Sequence, residues 1–212
     1  MQPNLSRILK NLPPSVALLA VSKQQSIEAI TELYQQGQRA FGENYLQEAL
    51  IKMEALKHLN IEWHFIGHIQ RNKTKKIAEH FAWVQSVDSE LIAKRLNEAR
   101  PTNLPPLNIC LEVNVDNEPN KSGVALDAVL PLAKVCLSLP KLRLRGLMAI
   151  PKANTDPHHA FQTLRNIHDT LNTLGFSLDT LSMGMSADYE LAIEAGSTMV
   201  RLGTALFQKP RA

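Results

Sequence analysis

The chain has 212 residues, of which 44% are hydrophobic and 20% are charged, and its formal net charge is +3. This composition is typical of a globular protein with one hydrophobic core, and we expect residues 1–212 to form a single domain. The small net charge lacks the strong positive asymmetry of a nucleic-acid-binding protein, so no nucleic-acid partner is expected.

The cysteines and the N-terminal segment argue against several other classes of protein. Cys110 and Cys136 both lie in apolar segments, which indicates buried free thiols rather than a disulfide framework. The sequence has no Cys-x-x-Cys pair and no cluster of Cys and His, so no zinc site is expected. The N-terminal segment lacks the apolar stretch of a signal peptide, and no apolar run is long enough to span a bilayer. We therefore expect a cytoplasmic protein without a membrane partner.

Helical and strand patterns alternate along the whole chain. Up to residue 99 they predict, in chain order, a helix at 4–12, a strand at 16–22, a helix at 26–37, a strand at 39–43, a helix at 45–59, a strand at 61–67, a helix at 73–81, a strand at 82–87 and a helix at 89–99. Beyond it they predict a strand at 108–115, a helix at 125–139, a strand at 143–150, a helix at 158–175, a strand at 179–184, a short helix at 187–196 and a last strand at 198–207.

Strict alternation of strands and helices predicts an α/β fold with a parallel sheet and helices outside it. Eight strands favour a single closed (β/α)8 barrel of the TIM type, short for that fold, with an extra N-terminal helix. An open doubly wound sheet is the alternative, although the glycine fingerprint GxGxxG is absent after the first strand. The eighth helix is nearly missing, and we expect the N-terminal helix to cover that gap.

In such a barrel the chemistry lies where the strands end and in the loops that follow them. Lys23 directly follows the apolar strand LLAVS. A lysine is usually a surface residue, but one that ends an apolar strand at a barrel mouth can form a Schiff base with an aldehyde. An aldolase and a protein that binds pyridoxal 5′-phosphate (PLP) both fit this interpretation.

The last part of the chain favours PLP over a sugar aldolase. Ser186 precedes a short helix after the seventh strand, and Gly203 and Thr204 belong to the eighth. The loops after strands seven and eight form the usual phosphate site of these barrels. Ser186 can also be a simple helix cap and Gly203 a strand bulge. Together with Lys23, however, they indicate a phosphorylated aldehyde as ligand.

Several motifs resemble, in order and spacing, those of the pyridoxal phosphate homeostasis protein family, which is similar to the N-terminal barrel of alanine racemase. The resemblance covers nearly the whole chain and rests on AVSK, FGENYLQE, WHFIGHIQRNK, KSG, RGLMAI, SMGMSADYELAI and GSTMVRLGTALF. His68 and Ile69 stand where the family often has Pro-Leu, and Gln208 replaces a glycine that commonly follows the last motif.

The resemblance implies a role for each of six residues. Lys23 would carry PLP as an aldimine, Asn44 would line the pocket, and Arg201 would face the pyridine nitrogen. The phosphate would be held by Ser186, Gly203 and Thr204. The family's function implies reversible binding of PLP for its buffering or delivery, with no catalytic residue and with PLP-dependent apo-enzymes as partners. We expect the protein to be a monomer.

Two enzymatic alternatives stay open. A PLP-dependent amino-acid racemase of this type adds a C-terminal domain with a catalytic tyrosine, and we expect none because the sequence stops at Ala212. Tyr45 and Tyr189 nevertheless stand near strand ends and could reach the pocket. A Schiff-base aldolase would leave Arg201 unexplained and lacks an obvious acid or base beside Lys23.

A basic run at residues 71–76, RNKTKK, has two interpretations. It could attract phosphates or a nucleic acid, but no aromatic residues interleave with it for base stacking. A solvated first turn of a helix is the favoured interpretation, although positive charge there is slightly unfavourable with the helix dipole.

Overall fold

A computed structural model describes residues 4–119, 121–152 and 155–207 of the chain. Eight parallel strands close into a barrel in sequence order, with the first strand paired to the last. The strands are β1 (Ala17–Val21), β2 (Ala40–Glu43), β3 (Glu62–Phe65), β4 (Trp83–Val87), β5 (Leu107–Glu112), β6 (Leu142–Met148), β7 (Thr180–Ser182) and β8 (Met199–Leu202). The predicted (β/α)8 barrel is confirmed, and the alternative of an open doubly wound sheet is wrong.

Helices surround this barrel. They are α1 (Asn4–Asn11), α2 (Ile27–Gln35), α3 (Leu46–Ala55), α4 (Thr74–His80), α5 (Glu90–Ala99), α6 (Val129–Leu137), α7 (His158–Thr173), α8 (Tyr189–Glu194) and α9 (Thr204–Phe207). Short 3₁₀ turns at Arg71–Lys73 and Leu126–Ala128 lead into α4 and α6. Ser26 caps α2, because its Oγ accepts a hydrogen bond from the Ala29 N–H at 3.2 Å.

The end of the barrel differs from the prediction. The last strand was expected to continue to residue 207, but β8 ends at Leu202 and α9 follows Gly203. The apolar stretch TALF thus forms a short helix whose Leu206 is buried. As expected, the N-terminal helix covers this region: α1 contacts α9 and buries Leu5.

Two separate sets of buried residues fill the molecule. One lies between the strands and the helices and includes Phe41, Ile77 and Phe161. The other lies inside the barrel, where Trp83, Cys110 and Met148 form their own cluster. The two sets arise because alternate residues of a strand point to opposite faces, and here both faces are buried. The barrel interior also holds polar residues, which define the site described below.

No helix among residues 4–119, 121–152 and 155–207 is long and apolar enough to cross a membrane. The same residues contain no group of three or more His, Cys, Asp or Glu side chains suited to a metal ion. Both cysteines are buried free thiols, as predicted, and burial raises their pKa to about 12.

Candidate functional site

A cavity of about 340 Å³ opens at the ends of strands β1, β2 and β8. Apolar side chains form part of its wall: Val21, Ile66, Ile150, Met185 and Ala187. Every residue that the sequence analysis placed in the cofactor pocket also lines it: Lys23, Asn44, Ser186, Arg201, Gly203 and Thr204. Pairing of β1 with β8 is what brings the two ends of the chain to this one place.

Lys23 lies in the turn that follows β1 and Ser22. Its side chain is exposed, whereas Ser22 behind it is fully buried. The expectation of a lysine beside apolar walls therefore holds only in part, because the cavity is apolar but Lys23 borders it from the solvent side. Such a position leaves the amine accessible to a ligand that enters the cavity.

A buried ion-pair network fixes the backbone just before Lys23. The Lys52 Nζ donates to the Ser22 carbonyl at 2.6 Å, to Glu43 Oε1 at 2.8 Å and to Glu48 Oε1 at 2.6 Å. The Ser22 hydroxyl donates to the same Glu43 oxygen at 2.6 Å. Burial raises the pKa of Glu43, while the hydrogen bonds from Lys52 and Ser22 oppose that rise.

Glu48 also holds the turn itself, because its Oε1 accepts the Gln24 backbone N–H at 2.5 Å. Gln24 has a positive φ of 61°, a conformation that costs free energy for a residue other than glycine. Lys52 was not among the candidate residues predicted from the sequence. The only signal for it was the spacing of Glu48 and Lys52 on one helical face, which is common on exposed helices.

Asn44 contributes a polar atom without a protein partner. Its Oδ1 is buried and accepts no hydrogen bond from any of the described residues. Gly67 at the end of the neighbouring strand packs directly on the Asn44 backbone, since a Cβ at Gly67 would lie 2.1 Å from the Asn44 carbonyl oxygen. Buried acceptors are usually satisfied, so the Asn44 amide oxygen is suited to receive a donor from a ligand.

Arg201 is buried, 3% exposed, and projects from β8 into the barrel. Its Nη1 donates to the Ser182 carbonyl at 2.6 Å and to the Ser182 hydroxyl at 2.8 Å, and its Nη2 donates to the Ala149 carbonyl at 2.9 Å. Burial lowers the pKa of Arg201 to about 10, against the opposing effect of Glu112, so the guanidinium stays charged at neutral pH. Its other N–H groups have no acceptor among the described residues.

Hydroxyl and backbone donors gather at the other side of the cavity. The Ser186 Oγ accepts from the Thr204 hydroxyl at 3.3 Å and from the Ala205 backbone N–H at 3.4 Å. The alternative role of Ser186 as a helix cap is wrong, because Asp188 occupies the N-cap of α8. These long contacts join loops seven and eight in a cluster rich in hydrogen-bond donors, as an anion site requires.

The remaining candidates lie outside the cavity. Tyr45 is largely exposed, and the Tyr189 hydroxyl donates to Glu190 at 3.2 Å, so neither lines the pocket. His68 Nδ1 lies 3.1 Å from the Ser122 hydroxyl. The basic run 71–76 forms the 3₁₀ turn and the first turn of α4, which is the solvated helix start favoured by the sequence.

Comparisons with known proteins agree with this geometry. The family model described as the alanine racemase N-terminal domain matches residues 1–209. The pyridoxal phosphate homeostasis protein of Pseudomonas aeruginosa is 56% identical over 198 residues, covering 92% of this chain and 85% of the relative. That of Escherichia coli K12 is 47% identical over 201 residues, covering 92% and 86%.

Solved structures give the same result at two levels of similarity. PipY of Synechococcus elongatus, in a structure with PLP bound, is 38% identical, with a TM-score of 0.88 over 97% of this chain and 98% of that one. Alanine racemase of Enterococcus faecalis is only 18% identical, with a TM-score of 0.78 over 98% of this chain and 57% of that one, and shows the fold alone.

The barrel and the family model define the class: a barrel of the kind that forms the N-terminal domain of alanine racemase. The identities to the curated relatives then give the particular group. The chain belongs to the pyridoxal phosphate homeostasis protein family.

Proposed function

We propose that the protein binds PLP in the cavity at the barrel mouth through the amine of Lys23, and that it buffers or delivers PLP in the cell. The observation that carries this proposal is the meeting of Lys23 and Asn44 with Ser186, Arg201 and Thr204 around one cavity. PLP supplies an aldehyde, which condenses with a primary amine.

The polar groups of the cavity fit the parts of PLP. Among the residues that the structure describes, Lys23 is the one primary amine on the cavity wall. The hydroxyls of Ser186 and Thr204, with backbone N–H groups near Gly203, suit the phosphate, since anions bind where such donors converge. The buried Asn44 Oδ1 needs a donor, and Arg201 has N–H groups left for a ring acceptor.

Arg201 also supports a role without robust catalysis. PLP enzymes that generate carbanions usually place an acid beside the pyridine nitrogen, which keeps it protonated, whereas racemases of this barrel type use an arginine there and add an acid/base residue from another domain. A guanidinium has only donors and stays charged, so beside that nitrogen it would keep the nitrogen an unprotonated acceptor. In addition, no tyrosine hydroxyl lines the cavity within the described part of the chain. We therefore assign no catalytic residue.

The proposal extends to the whole chain. We propose that the protein acts as a monomer. We propose that residues 1–212 form one PLP-binding barrel domain that acts in the cytoplasm. Its partners would be PLP and the PLP-dependent apo-enzymes that receive it.

The test is chemical fixation of bound PLP. After incubation with PLP and reduction with borohydride, peptide mass mapping should place the phosphopyridoxyl group on Lys23. Lys23→Ala should lose the fixed group and bind PLP more weakly, because the phosphate contacts survive. Lys121→Ala is the matched control, since Lys121 lies at the barrel mouth but outside the cavity, bound to Glu118 and the Pro151 carbonyl. Fixation mainly on Lys121 or Lys73 would overturn the assignment.

A further inference from the structure

A chain of hydrogen bonds crosses the barrel interior from the cavity to the opposite opening. The Arg201 Nη1 contacts the Ser182 hydroxyl at 2.8 Å, and that hydroxyl contacts Gln85 Oε1 at 2.6 Å. Gln85 Nε2 lies 3.0 Å from His64 Nδ1, and His64 Nε2 lies 2.9 Å from Glu62 Oε1. We call these five residues the interior relay. They come from strands β3, β4, β7 and β8.

Arg201 and Glu62, the two ends of the interior relay, determine which group donates in each of its hydrogen bonds. A guanidinium only donates and an ionised carboxylate only accepts. The Ser182 oxygen therefore accepts from Arg201, and its own hydrogen goes to Gln85 Oε1. The Gln85 amide nitrogen then donates to His64 Nδ1, which leaves the His64 Nε2–H to donate to Glu62.

The surroundings of His64 agree with that arrangement. The imidazole is fully buried and stacks on Trp83, with 5.1 Å between ring centroids and 7° between planes. Burial lowers the pKa of His64 against the effect of Glu62, so the ring is neutral, as one donor and one acceptor require. The second hydrogen of the Gln85 amide points to Met199 Sδ at 3.1 Å. His64 and Gln85 thus have a partner at every polar side-chain atom.

A polar interior of this kind is unusual in the fold. Bulky apolar side chains normally fill such barrels, and a buried polar network stabilises no more than the apolar packing it replaces. His64, Gln85 and Ser182 are each fully buried. The interior relay ends on Arg201, which lines the cavity. It can therefore affect ligand binding, which an apolar filling of the barrel could not do.

We propose that Glu62, His64, Gln85 and Ser182 are positioning residues for Arg201, and that they couple ligand binding in the cavity to His64 on the far side of the barrel. This inference rests on the proposed function for the identity of the ligand. The physical reason is that Gln85 holds the hydrogen of the Ser182 hydroxyl, so the lone pairs of that oxygen face Arg201. Without Gln85 the hydroxyl can rotate and present its hydrogen to the guanidinium.

The first measurement uses the ligand-free protein. Long-range ¹H–¹⁵N spectra at neutral pH should show His64 as the neutral Nε2–H form, assigned from the spectrum of His64→Asn. Gln85→Leu and Ser182→Ala should each shift the Arg201 guanidinium signals. Gln38→Leu is the matched control, because Gln38 is another buried glutamine but bonds to the carbonyls of Leu18 and Ala40 outside the interior relay. A His64 ring protonated on Nδ1 instead, or an equal shift of the Arg201 signals in Gln38→Leu, would overturn the inference.

The second measurement adds PLP. Binding should shift the His64 ring nitrogen signals in the unmodified protein, and Gln85→Leu should abolish this response and weaken PLP binding about tenfold, the loss of one hydrogen bond to a charged group. Glu62→Gln, which keeps an acceptor for His64, should retain the response. A chromophore on Lys23 with no response of His64 refutes the coupling. Absence of any chromophore refutes the proposed function instead, and the ligand-free spectra still decide whether the interior relay positions Arg201.

Discussion

Replacement of Lys52 by methionine tests whether the ion-pair network supports both the fold and the turn that carries Lys23. Lys52 is 4% exposed and Glu43 is 0% exposed. Methionine fills a similar length but donates no hydrogen bond, so the Glu43 carboxylate would stay buried with only the Ser22 hydroxyl as a partner. Breaking a buried pair by removal of one charge costs about 3–5 kcal/mol.

The assay is thermal and urea unfolding of the protein without ligand. For a chain of this size each 1 kcal/mol lowers the melting temperature by about 2–4 °C, so Lys52→Met should melt about 6–20 °C lower. Lys57→Met, just after the end of the same helix, is the control, because Lys57 pairs with Glu54 at the exposed surface and its loss should leave the melting temperature unchanged.

A second variant separates the loss of the pair from the loss of packing. Addition of Glu43→Gln to Lys52→Met removes the unpaired carboxylate, so it should recover part of the lost stability. Lys52→Met should also weaken PLP binding, because the Ser22 carbonyl next to Lys23 loses its donor. An unchanged melting temperature in Lys52→Met, or a double variant less stable than the single one, would refute this reasoning.

Three further predictions concern the cavity and its surroundings. Ser186→Ala combined with Thr204→Val should weaken PLP binding far more than pyridoxal binding, since each bond to the phosphate is worth about 1.5–3 kcal/mol; equal losses in binding titrations would place the phosphate elsewhere. The PLP-bound protein should exchange the Cα hydrogen of L-alanine in deuterated water very slowly or not at all, and turnover at ordinary enzyme rates of about 1–10³ per second would favour the racemase alternative. Burial, with the charge of Asp88, raises the pKa of Glu112 from 4.5 to about 7. The unfolded chain therefore releases this proton first as the pH rises. The free energy of unfolding should fall progressively between about pH 4.5 and 7, by about 3 kcal/mol at most, and stay lower above pH 7. In Glu112→Gln this fall should be absent, which urea unfolding at pH 5 and pH 8 measures.

The order of the strands and helices and the residues around the cavity could be predicted from the sequence. Each strand of the barrel is buried on both faces, so it appears as a short apolar run, and the ends of these runs give the working face. Lys23, Asn44 and Ser186 could therefore be placed at the mouth before the structure was known. The last strand was overextended because the apolar residues of TALF fit a strand as well as a short helix, and only packing on α1 decides between them.

The polar interior could not be predicted in the same way. Gln85 lies in AWVQSV and Ser182 in DTLSMG, where alternation with apolar residues indicates an outer, solvated face just as well as a barrel interior. Their bond joins residues 97 positions apart, and no local pattern contains that information. The same holds for Lys52 and the Ser22 carbonyl, 30 positions apart.

Closure of the barrel has a consequence for the life of the chain in the cell. Leu19 on β1 is in register with Arg201 on β8, so the cavity forms only when the first and last strands pair. During synthesis, at about 5–20 residues per second, Lys23 emerges from the ribosome many seconds before Arg201 does. A nascent chain therefore has no complete pocket, and the proposed binding of PLP is restricted to chains whose barrel has closed. Under the proposed function PLP would bind only the closed state and stabilise it by mass action, so the folded population would rise with the PLP supply.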